Sequence, residues 1–149
     1  QDLRLAIDDA ERLSLPTYGA RAAVFLGERL FWRRRDDEAI AALQRAVALA
    51  RAGNDRLGEA LARTYLVRLG VLAHEDGLDA MVAQLELPEI RANLLLARAA
   101  LGRAEPTTTE ALNELLASSV LPLSIALRAL QWLDRPAAAR ALVRSIDEK

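Results

Sequence analysis

His74, the only histidine of the chain, is followed by Glu75 and Asp76. An imidazole beside two carboxylates can bind a metal ion or act as a general acid and base. A metal site also needs ligands that converge from elsewhere, and the chain has neither cysteine nor a second histidine at a metal-binding spacing. We therefore interpret the trio as a solvated helix end, and expect no metal site and no catalytic residue.

Two acidic runs, Asp8-Asp9 and Asp36-Asp37-Glu38, offer paired carboxylates that could exchange protons with a substrate. Both runs fall on a predicted helix surface or at a predicted helix start, where acidic groups oppose the positive end of the helix dipole. A structural role is thus the better interpretation. The seven glycines are scattered singly, so no phosphate-binding loop and no nucleotide cofactor are predicted.

The segment Trp32-Arg33-Arg34-Arg35 combines an aromatic ring for base stacking with three cations for phosphates, as a nucleic-acid site requires. The triplet is predicted to lie in the last turn of a helix, where cations are stabilising, and three acidic residues follow it. With 20 basic and 21 acidic residues, the chain also has no overall positive charge. We favour a solvated helix terminus over nucleic-acid binding.

The bulk composition indicates a folded domain. The 149 residues suit one domain, 52% of them are hydrophobic, and no apolar run approaches the roughly 18 residues of a membrane span. The absence of cysteine favours a cytoplasmic protein. All basic residues but Lys149 are arginine, a bias typical of GC-rich bacterial genomes, and the chain begins at Gln1 without methionine, so we expect a piece of a longer protein.

Apolar residues recur at three- and four-residue steps almost throughout, which predicts helices and no strands. Turn and cap residues divide the pattern into about nine helices joined by short loops, which favour antiparallel neighbours. Trp132, with Leu130 and Leu133, is predicted to be core. The predicted helices run over 2–13, 17–35, 36–53, 54–74, 78–85, 88–101, 107–118, 122–133 and 134–147, with Thr17, Asp36, Asn54 or Asp55, and Thr107 as predicted N-caps.

The segment from Ala20 to Gly53 carries a repeat pattern. Within a 34-residue unit, the small and large packing positions are occupied by Leu26, Gly27, Leu30, Ala39, Leu43 and Ala46. These positions resemble those of tetratricopeptide repeats (TPR). Ala23 and Arg51 depart from that pattern. When the sequence is compared with itself at a shift of about 40 residues, Leu26 aligns with Leu66 and Ala22 with Ala62.

The resemblance implies an α-solenoid of antiparallel helical hairpins that forms a single domain over residues 1–149. The longer period is similar to repeats of large bacterial signalling ATPases and transcriptional activators, and implies the sensor or scaffold arm of such a regulator. The later hairpins, roughly Pro88 to Ser118 and Val120 to Asp147, keep only the apolar spacing.

The family's concave positions, transferred residue by residue, predict a protein-binding face. By rougher periodicity the same face extends to Asn93 or Leu94 and to Arg98. An apolar floor with arginine rims would suit an acidic, partly apolar segment. The predicted binding residues are Arg21, Val24, Glu28, Phe31, Leu61, Thr64, Arg68, Val71 and Arg98.

The leading hypothesis is therefore a protein- or peptide-binding scaffold without catalytic activity or cofactor. A second hypothesis is a dimerisation or intramolecular regulatory arm, in which apolar residues of terminal helices pack on another copy or on a neighbouring domain. The face of the first helix that carries Leu3, Ile7 and Ala10 is expected to be half covered for this reason. A nucleic-acid binder that uses the arginines is the third hypothesis.

Overall fold

The computed structural model describes residues 2–118 and 121–147, and in these stretches it contains nine α-helices, one 3₁₀ turn and no strand. This confirms the predicted all-α fold. The predicted boundary at Val120 lies outside the described residues. The helices are α1 (Asp2–Arg12), α2 (Pro16–Trp32), α3 (Asp36–Ala52), α4 (Arg56–Arg68), α5 (Leu78–Leu85), α6 (Pro88–Ala100), α7 (Thr108–Ser118), α8 (Leu123–Trp132) and α9 (Pro136–Asp147), and the 3₁₀ turn covers Leu72–His74.

The chain divides into two compact units, unit 1 up to Glu86 and unit 2 from Leu87. In unit 1, α2 packs against α1, α3 and α4, and α4 also packs against α5 and the 3₁₀ turn. In unit 2, α8 packs against α6, α7 and α9, and α6 packs against α7. Helical hairpins thus build both units. That the whole chain is one domain stays a prediction.

Close approach of α2 and α3 forms the centre of unit 1. A Cβ atom at Gly27 would lie 2.5 Å from Cγ of Leu43, and one at Gly19 would lie 3.1 Å from Cδ1 of Leu49. The lower-numbered residue of α2 contacts the higher-numbered residue of α3, and the reverse, so the two helices are antiparallel. Of the six predicted packing residues, five are buried and Leu26 is half-buried.

Alternate helices of unit 1 run parallel to each other. Arg4 contacts Glu38 and Glu11 contacts Arg45, so α3 follows α1 at an offset of 34 residues. The starts of α2 at Pro16 and α4 at Arg56 are 40 residues apart. The second offset is larger because α3, with 17 residues, is longer than α1, with 11, and it equals the predicted shift of about 40 residues.

One type of turn closes four of the hairpins. After α1, α2, α3 and α8, a three-residue loop has its middle residue in the left-handed region: Ser14, Arg34, Asn54 and Asp134, with φ between 51° and 58°. The following N–H donates to the carbonyl five residues back, as Arg35 does to Leu30 and Asp55 to Ala50. This bond satisfies a carbonyl that the helix end would leave unpaired.

Each unit has its own apolar core. In unit 1 the buried cluster joins α1 to α4 and includes Ile7, Leu43, Val47 and Leu66. In unit 2 it joins α6, α7 and α8 through residues such as Leu112 and Ile125. Trp132 is 37% exposed, so its prediction as core is wrong, whereas Leu130 is buried.

Two predicted N-caps are wrong. Helix α2 begins one residue earlier than Thr17, with Pro16 in its first turn and Leu15 at the cap position. The Thr17 hydroxyl instead donates to the carbonyl of Gly53. Asp36 lies inside α3, where it joins Asp37 and Glu38 in the first turn, so these acids act through the helix dipole. Asp55 is an N-cap, since its carboxylate accepts from the Gly58 N–H at 2.9 Å.

Helix α4 ends at Arg68, before the predicted end at His74. Gly70 follows with φ +83° and stops the helix. His74 lies in the separate 3₁₀ turn, half-buried. The Nε of buried Arg63 donates to the His74 carbonyl at 2.8 Å, and its Nη2 donates to the Asp76 carbonyl. A charged side chain of α4 thus holds the segment that follows the helix.

The apolar face of α1 is better covered than expected. Ile7 is 1% exposed, Ala10 is buried against Gly19 of α2, and Leu3 is half-buried. Helices α2 and α3 supply this cover, because Arg45 of α3 also reaches Asp8 and Glu11 of α1. The expectation of a half-covered face is wrong for Ile7 and Ala10, whereas Leu3 is half-buried.

Candidate functional site

Three aromatic side chains lie exposed along α2. Tyr18, Phe25 and Trp32 are 72%, 60% and 53% exposed, and follow one another at seven-residue intervals. Seven residues are nearly two helical turns, so the three rings share one face about 10 Å apart. We call Tyr18, Phe25 and Trp32 the aromatic stripe. The opposite face of α2, with Ala23 and Gly27, is buried in unit 1.

The stripe uses residues that this chain otherwise employs sparingly. The sequence contains only two Trp, two Tyr and two Phe, and four of these six lie on α2. Single exposed apolar residues are ordinary, but three exposed rings that recur on one helix face favour an interaction surface. Aromatic residues are also enriched at the energetic centres of protein interfaces.

A second group of aromatic residues lies between α2 and α4. The Arg68 guanidinium lies 4.9 Å from the ring centre of Phe31 and 5.6 Å from that of Trp32. Phe31 contacts Trp32 edge-on at 5.0 Å and Tyr65 at 5.9 Å. The Tyr65 hydroxyl donates to the Glu28 carboxylate at 2.7 Å. Trp32 at one end of the stripe therefore packs against Phe31 and Arg68.

Arg21 and Asp55 form an ion pair on the same side of α2. Nε and Nη2 of Arg21 donate to the two carboxylate oxygens of Asp55, each at 2.7 Å. Burial would raise the pKa of Asp55, but the hydrogen bonds from Arg21 and from the Gly58 N–H outweigh it and hold the pKa below its usual value. The charge of Arg21 is therefore largely neutralised within unit 1.

The predicted binding residues are brought together only in part. Arg21, Glu28, Phe31 and Arg68 lie between α2 and α4 as described above, and Leu61 and Val71 are half-buried against the core. Val24 and Thr64 are each 5% exposed, and the Thr64 hydroxyl donates to the Ala60 carbonyl. Neither of these two is accessible to a ligand in this structure.

The second part of the predicted face lies in unit 2. Arg98 is 9% exposed, with Nη1 3.9 Å from a carboxylate oxygen of Glu105. Leu94 is buried, and Asn93 accepts a hydrogen bond from Arg128 at 2.6 Å. The role of Arg98 in binding stays a prediction.

Sequence analysis missed the aromatic stripe. Transfer of the family positions selected Val24 and Phe31, whereas the neighbouring residues Phe25 and Trp32 point outward. One residue corresponds to about 100° around a helix, which separates the core side from the exposed side. The seven-residue spacing of Tyr18, Phe25 and Trp32 was the signal that could have found it.

The arginine triplet forms a loop, and the prediction that it lies in the last helical turn is wrong, because α2 ends at Trp32. Arg35 contacts Glu38, whose pKa is lowered chiefly by this hydrogen bond. Arg29, Arg33 and Arg34 are exposed and have no carboxylate partner within the described part of the chain. Three arginines without a direct ion pair therefore lie where the stripe ends, next to the acidic first turn of α3.

His74 lies away from this surface, and burial, followed by the nearby charges of Arg63 and Arg51, lowers its pKa. Across residues 2–118 and 121–147, no three acidic, histidine or cysteine side chains are grouped so that they could hold a metal ion. None of the helices described is sufficiently long and apolar for a transmembrane segment.

Comparison with known proteins gives no relative: no protein-family model, no curated protein and no solved structure matches this chain.

Proposed function

We propose that unit 1 is a protein-docking module that binds an acidic, amphipathic helix of another protein along the aromatic stripe. The observation that carries this proposal is the exposure of Tyr18, Phe25 and Trp32 on one face of α2. Such a surface suits a helix that presents apolar residues every three to four positions. Helix α2 has 17 residues and is thus about 25 Å long, which matches a partner helix of four to five turns.

The arginines beside the stripe favour an acidic partner. Arg29 lies four residues after Phe25 and three before Trp32, on the exposed side of α2, and Arg33 and Arg34 follow the stripe directly. None of these guanidinium groups has a carboxylate partner among the described residues. Acidic residues beside the partner's apolar positions would gain charge-assisted hydrogen bonds with them, and opposite charges also speed association.

The same charges disfavour a second copy as the occupant. An antiparallel pairing of two α2 helices centred on Phe25 would place Arg29 of one copy opposite Arg21 of the other, which is already paired with Asp55 and offers Arg29 no acidic partner. A parallel pairing would place Arg29 opposite Arg29. Like charges that face each other across an interface are unfavourable.

The wider proposal is that this chain is the non-catalytic scaffold or sensor arm of a larger cytoplasmic bacterial regulator. It is supported by the sequence resemblance to TPR units and by helical hairpins at offsets of 34 and 40 residues in unit 1. The domains that adjoin this chain in its parent protein test it. A neighbouring ATPase or DNA-binding module is expected.

Docking is tested with a synthetic 18-residue amphipathic helix that has leucine on one face, glutamate on the other and no tryptophan. Binding is followed by Trp32 fluorescence in a Trp132→Phe variant, so that only the stripe reports. We expect micromolar affinity for this peptide and at least tenfold weaker binding of the same peptide with lysine in place of glutamate.

The variant Phe25→Ser should weaken peptide binding at least tenfold. Leu13→Ser is the matched control, because Leu13 is 59% exposed but lies beyond the end of α1 and off the stripe. Equal effects of the two substitutions would overturn the proposal. So would preferential binding of single-stranded DNA, or a dimer that Phe25→Ser makes monomeric, since these outcomes assign the stripe to nucleic acid or to self-association.

A further inference from the structure

A cavity of about 380 Å³ lies between the start of α1 and the end of α2. Four of its lining side chains are arginines, namely Arg4, Arg29, Arg33 and Arg35, and one is acidic, Asp2. Leu3, Leu26 and Leu30 complete the lining. The volume is within the range of small-molecule sites, about 300–1,000 Å³. The aromatic stripe does not line this cavity.

The charges around the cavity are only partly compensated. Glu38 accepts from Arg4 at 2.9 Å and from Arg35 at 2.6 and 2.7 Å, so one carboxylate serves both guanidinium groups. Arg29 and Arg33 have no carboxylate partner in the described part of the chain. Four guanidinium groups against the carboxylates of Asp2 and Glu38 leave a net charge of +2 at the cavity.

The two uncompensated arginines are placed to act together. Arg29 lies in the last turn of α2 and Arg33 is the residue that caps the helix, four positions later, so the two side chains leave the chain on the same side. Two like charges at this spacing repel each other, although the negative end of the α2 dipole partly offsets the repulsion. An anion between them would receive hydrogen bonds from both guanidinium groups.

We infer that the cavity binds a doubly charged phosphate group, either free or as a monoester. The net charge of +2 is matched by a phosphate dianion and only half matched by a single carboxylate. Three terminal oxygens also provide acceptors for several guanidinium forks, which bind phosphate with two parallel hydrogen bonds. This site shares Arg29 and Arg33 with the rim of the docking surface, but the rings of the stripe do not line it.

The test titrates the isotope-labelled full chain with inorganic phosphate, with O-phosphoserine and with acetate at matched ionic strength, and follows the arginine Nε–H signals by NMR. We expect both phosphate compounds to shift the signals of Arg29 and Arg33 and to bind at least tenfold more tightly than acetate. Equal affinities for phosphate and phosphoserine would identify free phosphate as a sufficient ligand. Tighter binding of phosphoserine would identify a monoester as the ligand. Both outcomes support the site.

Arg29→Gln and Arg33→Gln should each weaken phosphoserine binding at least tenfold. Arg34→Gln is the matched control, since Arg34 carries the same charge on the adjacent residue but does not line the cavity. Phe25→Ser, which removes part of the stripe, should leave phosphoserine affinity unchanged, so this site and the docking surface can fail separately. Affinity for phosphoserine should fall as the pH drops below about 6, where the ligand loses its second charge.

No preference for phosphate over acetate would overturn the inference. A loss in Arg34→Gln as large as that in Arg29→Gln would also overturn it, because binding would then follow general charge and not the cavity. Circular dichroism of each variant should show that its helices are retained.

Discussion

Leu43 of α3 occupies the space that a side chain at Gly27 of α2 would need. A Cβ atom at Gly27 would lie 2.5 Å from Cγ and 2.7 Å from Cδ2 of Leu43, much closer than van der Waals contact. Leu43 is fully buried among residues of α1 to α4, so it has little freedom to move aside. The glycine is therefore a packing requirement of the α2–α3 hairpin.

Gly27→Ala should destabilise unit 1 by roughly 1–3 kcal/mol through overpacking, although alanine is the better helix former. In a Leu43→Ala background, which itself costs about 2–5 kcal/mol, the same substitution should become neutral or stabilising by up to about 1 kcal/mol. Urea unfolding of the four proteins measures this coupling. Additive effects would show that the two residues do not meet.

Arg34→Gly should stabilise the chain. Arg34 has φ +58°, a conformation that costs a residue with a side chain roughly 1–2 kcal/mol, and glycine adopts it freely. Glycine also increases the conformational entropy of the unfolded chain, which offsets part of this gain. The net increase in the free energy of unfolding should be about 0.5–1 kcal/mol. Thermal unfolding measures the gain. Arg33→Gly is the control, and because Arg33 has φ −90° it should show no gain or a loss.

The Arg21–Asp55 pair should make stability depend on pH in the acid range. The pKa of Asp55 is held below its usual value in the folded protein, so its stabilising effect is complete above the unfolded pKa of about 3.9 and is lost as the pH falls through the folded value. Asp55→Asn keeps an N-cap side chain but loses the ion pair, and should cost about 1–3 kcal/mol at pH 7.

The difference between wild type and Asp55→Asn should shrink towards zero as the pH is lowered from 5 to 2. Urea unfolding at several pH values measures it. A difference that is the same at pH 7 and pH 2 would contradict the prediction. Asp9→Asn is a suitable control, because Asp9 pairs with Arg12 on the exposed surface of α1 and should have little effect at any pH.

Arg63 should stabilise the segment that follows α4. It is 6% exposed and donates hydrogen bonds to the carbonyls of His74 and Asp76, so its removal leaves two partly buried acceptors without a donor. Arg63→Met should cost about 2–4 kcal/mol and should speed amide exchange at residues 72–78 more than in α3. Lysine keeps the charge but not the two-pronged geometry, so Arg63→Lys should restore only part of the loss. Uniform exchange rates in Arg63→Met would contradict this role.

The number and kind of helices could be predicted because apolar spacing and turn residues act locally. The α2–α3 packing residues Gly27, Ala39 and Leu43 were identified from the resemblance to a repeat unit and not from local spacing alone, and all three are buried. Helix ends were harder. The end of α4 depends on Gly70 and on the tertiary contact of Arg63 with the 3₁₀ turn, and neither is visible in apolar periodicity.

The candidate surface lies on the helix that carries four of the predicted binding residues, but about one residue around it from two of them. Glu28, Phe31 and Arg68 do meet, whereas Val24 faces the core and Phe25 faces outward. The partners of α2 decide which of its sides is buried, and helices α1 and α4 cover it on two sides besides α3. That arrangement is a property of the packed unit and not of the α2 sequence alone.

The division into two compact units places one tryptophan in each, Trp32 in unit 1 and Trp132 in unit 2. The chain thus carries its own pair of optical reporters for cooperativity. In helical arrays, stability is set by each hairpin and by its coupling to the next one. The single-tryptophan variants Trp132→Phe and Trp32→Phe would report the thermal unfolding of unit 1 and unit 2 separately. Coincident midpoints would mean that the units share one cooperative transition. Separate midpoints would give the intrinsic stability of each unit.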